Sequence, residues 1–298
     1  MVKSVRERPT TVAPGLVGLD EMLHKAREGH YAVGAFNYCN AETAQAVVET
    51  GSTLRSPVMF ITGPWEIPLL GARMMVEIVQ SVALTTDVPV CLHLDHAEDI
   101  ELVRECIEAG FPSVMMDASR YGFEENVRLT KMVVDMAHPK GITVEGELGA
   151  VGRVDDSSVE GAGAVSLTDP AKAAEFAERT GVDALAVAIG NAHGIYTQRP
   201  VLDFDLLEAI SKTTDVPLVL HGGSGTHPDQ LKRAIGMGIC KVNVASEIGR
   251  AYLNAIQEAV ERANGKAWYA HTLVDAKEAV KGVVARWMRE LGSVGHAF

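Results

Sequence analysis

Three histidines of this 298-residue chain, His96, His193 and His221, each stand at the end of a short apolar segment, beside a carboxylate, an amide or a glycine. Three neutral imidazoles leave a divalent ion its full charge and an open coordination position, which suits a Lewis acid better than a structural site. Their placement predicts that the three converge on one metal. Asp95, adjacent to His96, is a carboxylate fit to move a proton to or from a substrate hydroxyl. Neighbouring strand residues face opposite sides, so Asp95 and His96 share a site only if the strand ends there. His93 precedes that end by three residues and is read as structural.

Two further segments are built for an oxyanion. The run HGGSG (221–225) offers the backbone N–H groups of Gly222 and Gly223, read as unobstructed, and the hydroxyl of Ser224. The run NVAS (243–246) leads into a helix predicted from near Glu247, so Asn243, Ala245 and Ser246 lie at a helix N-terminus, where anions bind. Lysine placement separates two chemistries, because an imine mechanism needs a lysine at the centre or C-terminal end of a barrel strand. Lys140 precedes its strand and Lys241 sits early in its own. Metal chemistry is therefore favoured.

Something must hold these groups together, and eight apolar segments supply it: residues 31–37, 56–63, 89–96, 113–119, 142–149, 184–191, 217–223 and 238–246. Several are near-continuous apolar runs, as in strands buried on both faces of a parallel sheet. Amphipathic stretches such as AETAQAVVETGSTL and EENVRLTKMVVDMA lie between them. Eight strand–helix units without a composition break predict one α/β domain over residues 1–298, a (β/α)8 TIM barrel with extra N- and C-terminal helices. A doubly wound sheet is the alternative, although GAFNYCNAE after the first strand is no glycine fingerprint. The polar residues fall at the predicted strand ends: Asn37, Asp95 with His96, Asp117 with Ser119, Glu145 with Glu147, Asn191 with His193, His221, and Asn243 with Ser246. Barrel active sites form at those ends, and phosphate commonly binds after strands 7 and 8. The long, small-residue connection 150–168 is read as a lid.

Acidic residues outnumber basic ones 39 to 27, a formal charge of −12. No dense basic patch offsets this, which argues against a nucleic-acid partner or an anionic membrane. The four cysteines form no CxxC pair and are read as reduced. Neither a signal peptide nor a membrane-length apolar run is visible, so the expected location is cytoplasmic.

The segments AFNYCNAET, LHLDHAED, SVMMDASRYGFEENVRLTK, VEGELGAVG, NAHGIY, LHGGSG and KVNVASEI together resemble the class II, metal-dependent ketose-bisphosphate aldolases, over roughly residues 20–260 and in the family's order. The resemblance is nearer to the tagatose-type subgroup. It implies an aldehyde-lyase of carbohydrate metabolism and glycolysis that reversibly cleaves a ketose phosphate, such as fructose or tagatose 1,6-bisphosphate, to dihydroxyacetone phosphate and an aldehyde. It implies that His96, His193 and His221 hold one zinc ion, or cobalt or iron(II) in its place, and that Asp95 takes the proton of the cleaved hydroxyl. Asn37 matches an amide beside that site. Gly194, Gly222, Ser224, Asn243 and Ser246 match positions that hold the dihydroxyacetone phosphate half. Asp117, Glu145 and Glu147 match acidic positions at or around a secondary cation site. A sodium or potassium ion near the phosphate loops and a homodimer or homotetramer are further family expectations.

Where the family's lid continues Gly-Gly-x-Glu-Asp, this chain has GRVDD (152–156), which puts Asp155 at the place of the lid acid/base. The loop after the second strand, TGPWEIP, carries Trp65 and Glu66 in place of smaller residues. Arg120, Arg153 and Arg199 are the candidates for a second phosphate. If none reaches the site, the aldehyde half is unphosphorylated, and Glu66 agrees with that reading. Same-fold alternatives are a metal-dependent hydrolase, which has no use for two anion loops, and a non-catalytic subunit, which would have lost metal ligands.

Overall fold

A computed structural model describes residues 13, 15–153, 166–194 and 201–298. Each of the eight apolar segments contains a strand: β1 (Val33–Asn37), β2 (Val58–Thr62), β3 (Val90–Leu94), β4 (Ser113–Met116), β5 (Thr143–Leu148), β6 (Ala184–Val187), β7 (Leu218–Leu220) and β8 (Ile239–Val244). They run parallel in sequence order and close into a barrel through pairing of β8 with β1, with Val33 opposite Lys241 and Ala35 opposite Asn243. Helices cross over between them, including Ala41–Leu54 after β1 and Phe123–Ala137 after β4. The expected (β/α)8 barrel is therefore the fold, with a further helix before β1 (Leu19–Glu28) and a 22-residue helix at the C-terminal end (Tyr269–Glu290). No helix among the described residues is long and apolar enough to cross a membrane.

Alternation along each strand sorts its side chains into two environments. Val58, Phe60, Val90, Leu92, Leu94, Val144, Leu220 and Val242 face outward and pack under the helices. Val33, Ala35, Met59, Ile61, Cys91, Ala184, Ala186 and Val219 face inward, where Leu19, Met22, Leu23 and Ala26 of the first helix close the barrel's N-terminal mouth. Leu19 is fixed there by its N–H donating to the Thr143 hydroxyl at the foot of β5, at 3.1 Å. The same alternation carries an inward column that starts apolar and ends polar, Cys91, His93 and Asp95 on and beyond β3, and puts Glu145 above Thr143 on β5. The barrel floor is greasy and its C-terminal rim is chemical.

On β8 the alternation breaks. A register shift between Ile239 and Lys241 accompanies the placing of Cys240 in the apolar floor, while Lys241, two residues before Asn243, faces inward with it and is wholly buried. Lys241, early in its strand as expected, lies inside the barrel with its Nζ donating to Glu145. Of the four cysteines, all free, three are buried and Cys39 is half-buried.

Candidate active site

β3 ends at Leu94, and Asp95 continues its hydrogen bonding by donating its N–H to the Thr62 carbonyl of β2 at 2.8 Å. His96 then adopts φ 48°, the left-handed region that a residue with a Cβ seldom enters. That one backbone rotation turns the His96 ring to the same side as Asp95, so the strand end the sequence required is present. The ring stacks edge-on against both other histidines, with centroids 4.6 Å from His193 and 4.5 Å from His221.

His193 arrives differently. Residues Ala192–His193 form a two-residue strand beyond β6, paired in parallel with Gly152–Arg153 outside the barrel sheet. Neither short strand was expected from the sequence. His221 follows directly on β7 and is fully buried. Gly222, next in the chain, has φ 62°, and a Cβ there would meet the Ala192 carbonyl oxygen at 1.9 Å. Only glycine lets the β7 end approach the His193 strand this closely.

One nitrogen from each of His96, His193 and His221 can be chosen so that the three lie within 4.8 Å of one another. Two rings are oriented by carboxylates. His96 Nδ1 bonds Asp117 Oδ2 at 2.9 Å, and His221 Nε2 bonds Glu145 Oε1 at 2.8 Å. The opposite nitrogens, His96 Nε2 and His221 Nδ1, are buried; His96 Nε2 makes no hydrogen bond with a described residue, and His221 Nδ1 lies 3.3 Å from Glu147 Oε2. Buried ring nitrogens aimed at one point, each braced on its far side by a carboxylate, are what a histidine-ligated divalent cation requires.

The acidic residues split into two sets. Asp117 and Glu147 lie with His96 within ligand distance of one another, whereas Glu145 groups with His93 and Asp95. Burial opposes ionisation of Asp117, but hydrogen bonds from His96 and Ser119 hold its carboxyl well below the usual range. Burial and the nearby Asp117 push Glu147 up. Burial also opposes ionisation of Glu145; Lys241, His93 and His221 overcome it and hold the carboxyl low. Lys241 Nζ is 2.9 Å from Glu145 Oε2 and 4.0 Å from Asp95 Oδ1. His93 is buried against Ser113, and burial with the neighbouring Lys241 lowers its pKa to about 3, so it stays neutral.

Asp95 stands between this buried network and the open cleft. Burial would raise its pKa, yet His96, Lys241, His221 and His93 bring it down to about 2. Asn243 Nδ2 donates to both of its oxygens, at 2.9 and 3.0 Å. The cleft above is about 750 Å³ and is lined by Asn37, Asp95, His96, His193, Gly194, Gly222, Ser224, Asn243, Ala245 and Ser246, together with Ile61, Gly63, Trp65 and Glu66.

The two loops expected to bind an anion also meet. Ser246 opens the helix Ser246–Arg262, with Ala245 before it, and Ser224 Oγ is buried without a hydrogen-bond partner among the described residues. Gly223 is a correction: its N–H is not open to a ligand, because it donates to the Asn243 carbonyl at 3.0 Å. Glu247, which the sequence reading passed over, fastens the loops together. It accepts from Gly225 N–H at 3.0 Å and from Trp287 Nε1 at 3.1 Å. Asn191, a polar strand end, serves the scaffold instead by donating to the His221 carbonyl. Arg120 is committed to Glu98 at 2.5 Å. Asp155 and Arg199 lie outside the described residues, as does the Arg153 side chain.

A closed barrel carrying three convergent histidines, a clamped aspartate and two helix-backed loops is the arrangement that comparison with known proteins bears on. The sequence model of class II fructose-bisphosphate aldolase matches residues 17–296. The chain belongs to that family. It is accordingly an aldehyde-lyase that performs retro-aldol cleavage on a phosphorylated sugar, and class II aldolases depend on a metal. A relative 41% identical over 280 residues, 94% of this chain and 99% of its own length, is the D-tagatose-1,6-bisphosphate aldolase subunit GatY of Klebsiella oxytoca. Among solved structures, the YdjI aldolase of Escherichia coli K12 superposes with a TM-score of 0.84 at 37% identity, over 95% of this chain and 100% of that one. A putative fructose-1,6-bisphosphate aldolase of Coccidioides immitis does so with a TM-score of 0.85 at 30% identity, over 93% and 96%.

Proposed function

We propose that this class II aldolase cleaves a ketose phosphate to dihydroxyacetone phosphate and an aldehyde, with zinc held by His96, His193 and His221. The observation that carries this reading is the pairing of that imidazole triad with Asp95 in one cleft. Fructose and tagatose 1,6-bisphosphate, which yield glyceraldehyde 3-phosphate, are the substrates to test first, since relatives are named for both. Cobalt or iron(II) would satisfy the same nitrogen donors.

When bound, the ion supplies the Lewis acidity that stabilises charge developing on the substrate's keto oxygen. The chain's own groups do the rest. Asp95, ionised and clamped by Asn243, accepts the proton of the hydroxyl whose carbon–carbon bond breaks. The Ser224 and Ser246 hydroxyls and the start of the helix Ser246–Arg262 bind the phosphate, so that the bond to be broken stays over Asp95. Asp117 and Glu145 keep the His96 and His221 rings turned inward. Asp117 and Glu147, with His96, are a second place for a cation, and a sodium or potassium ion belongs beside the phosphate loops. Asp155 is assigned the protonation of the released carbon.

A homodimer or homotetramer in the cytoplasm is the setting proposed for this enzyme, in keeping with its four free cysteines. A coupled assay for dihydroxyacetone phosphate, run with and without a chelator, tests the reading. Chelator-sensitive release is expected, and metal-independent release would overturn the zinc assignment.

A further inference from the structure

We propose that Glu66 is a specificity-determining residue that selects a hydroxylated, unphosphorylated aldehyde half over a phosphorylated one. This rests on the aldolase reading above and narrows its substrate class. With the first phosphate at the ends of β7 and β8, the remainder of the substrate must run past Asp95 toward the rim formed by β1, β2 and β3. There the cleft is lined by Asn37, Ile61, Gly63, Trp65 and Glu66.

The Glu66 carboxylate is held in place at that rim. Its Oε1 accepts from Asn37 Nδ2 at 3.1 Å, and its Oε2 accepts from the Gly63 N–H at 2.9 Å. Gly63 follows Thr62, whose carbonyl receives the Asp95 N–H, and a Cβ on Gly63 would meet the Asp95 carbonyl oxygen at 2.8 Å. Glu66 is thus anchored one residue from the backbone that positions the proposed base. Both anchors are neutral donors, and no described lysine or arginine forms an ion pair with Glu66.

Among the described residues lining the cleft there are two carboxylates, Asp95 and Glu66, and no lysine or arginine. Arg120, whose side chain alone is described among the three arginines considered for a second phosphate, is paired with Glu98. A phosphate dianion brought to this rim would meet a fixed negative charge in a partly desolvated cleft, where repulsion is screened far less than in water. A hydroxyl brought there finds a charged acceptor, the stronger kind of hydrogen bond. Trp65, 61% exposed on the same loop, adds an apolar face for the carbon chain.

The test compares kcat/KM of the metal-replete enzyme for fructose and tagatose 1-phosphates with that for the corresponding 1,6-bisphosphates. It is made on the wild type, on Glu66→Gln and on Glu66→Ser. The wild type is expected to favour the 1-phosphates by about tenfold or more, a factor within reach of one unscreened charge pair. Both variants should shrink that preference, chiefly by lowering KM for the bisphosphates. Bisphosphates cleaved as well as or better than 1-phosphates by the wild type, or a ratio unmoved in the variants, would overturn the inference and leave the aldolase reading standing. If one variant does not fold, the other still decides. Absence of dihydroxyacetone phosphate from every substrate would overturn the aldolase reading, and the inference with it.

Discussion

Asn243 Nδ2 donates to both carboxylate oxygens of Asp95, at 2.9 and 3.0 Å. The clamp fixes the plane of the carboxylate and uses a residue from β8 to aim a group that follows β3. Removing the carboxylate and loosening it should therefore differ in degree. Asp95→Ala is expected to lower kcat by about 10²–10⁴, the usual range for a lost general base, with the protein's metal content unchanged. Asn243→Ala should cost about 10–100-fold in kcat and raise KM as well, because the same residue lies on a loop proposed to hold the phosphate. Steady-state kinetics with metal analysis of each variant checks both, and a lost metal in Asp95→Ala would contradict the assignment.

Asp117 does not line the substrate cleft and reaches it only through His96, so its effect should be read on the metal. Asp117→Ala frees the His96 ring to rotate and removes the charge that fixes Nε2 as the donor. Metal affinity should fall about 10–100-fold, as for other carboxylates that orient a ligating histidine. Competition with a chelator measures it. In saturating metal kcat should recover most of its value, whereas His96→Ala should not recover.

Much of this was legible in the residue order. Strand positions followed from near-continuous apolar runs, and the site from polar residues at their ends, because inward columns of a parallel barrel must change from apolar to polar where the barrel opens. Three things were hidden for physical reasons. The left-handed φ of His96 leaves no trace in residue type, so convergence with Asp95 could be required but not read. Lys241 shares the inward face of Asn243 by alternation, but its meeting with Glu145 of β5 depends on how the strands are staggered around the barrel, which residue order does not carry. The occupied N–H of Gly223 depends on how close the loop lies to Asn243, and glycine by itself signals only that an approach is allowed.

The helix Ala41–Leu54 is tied to the C-terminal helix Tyr269–Glu290 through Glu49, which lies 2.5 Å from Lys277 Nζ and 3.3 Å from Lys281 Nζ. Burial pushes the Glu49 pKa up, but the hydrogen bonds from Lys277 and Lys281 outweigh it and leave the carboxyl below its ordinary value. A folded pKa below the unfolded one stabilises the fold above the unfolded value, about 4.3 for glutamate, and the benefit is lost as pH falls through the folded value. The carboxylate is 42% exposed, so screening keeps the contribution to about 1 kcal/mol or less. Glu49→Gln should lower the urea midpoint slightly at pH 7 and by less near pH 3. An equal loss at both pH values would show that the effect is packing and not charge.

The pair Lys241–Glu145 is a full charge couple in a region with no exposure, and it is coupled to Asp95 and His221 on either side. Removing one member leaves the other buried without its counter-charge, which costs about 3–5 kcal/mol in comparable sites. Lys241→Met is therefore expected to destabilise the barrel by that amount in urea unfolding. Glu145→Gln should cost less, since it keeps a hydrogen-bonding group beside His221 and leaves Lys241 within 4.0 Å of Asp95. The double variant Lys241→Met with Glu145→Gln removes both charges together. It should be more stable than Lys241→Met alone, the non-additivity expected of contacting groups. Its activity should nonetheless stay low, because His221 has lost the carboxylate that orients it and Asp95 the ammonium beneath it. A double variant with restored stability and restored turnover would show the pair to be scaffold only. Restored stability with impaired turnover would make it part of the machinery that keeps Asp95 ionised.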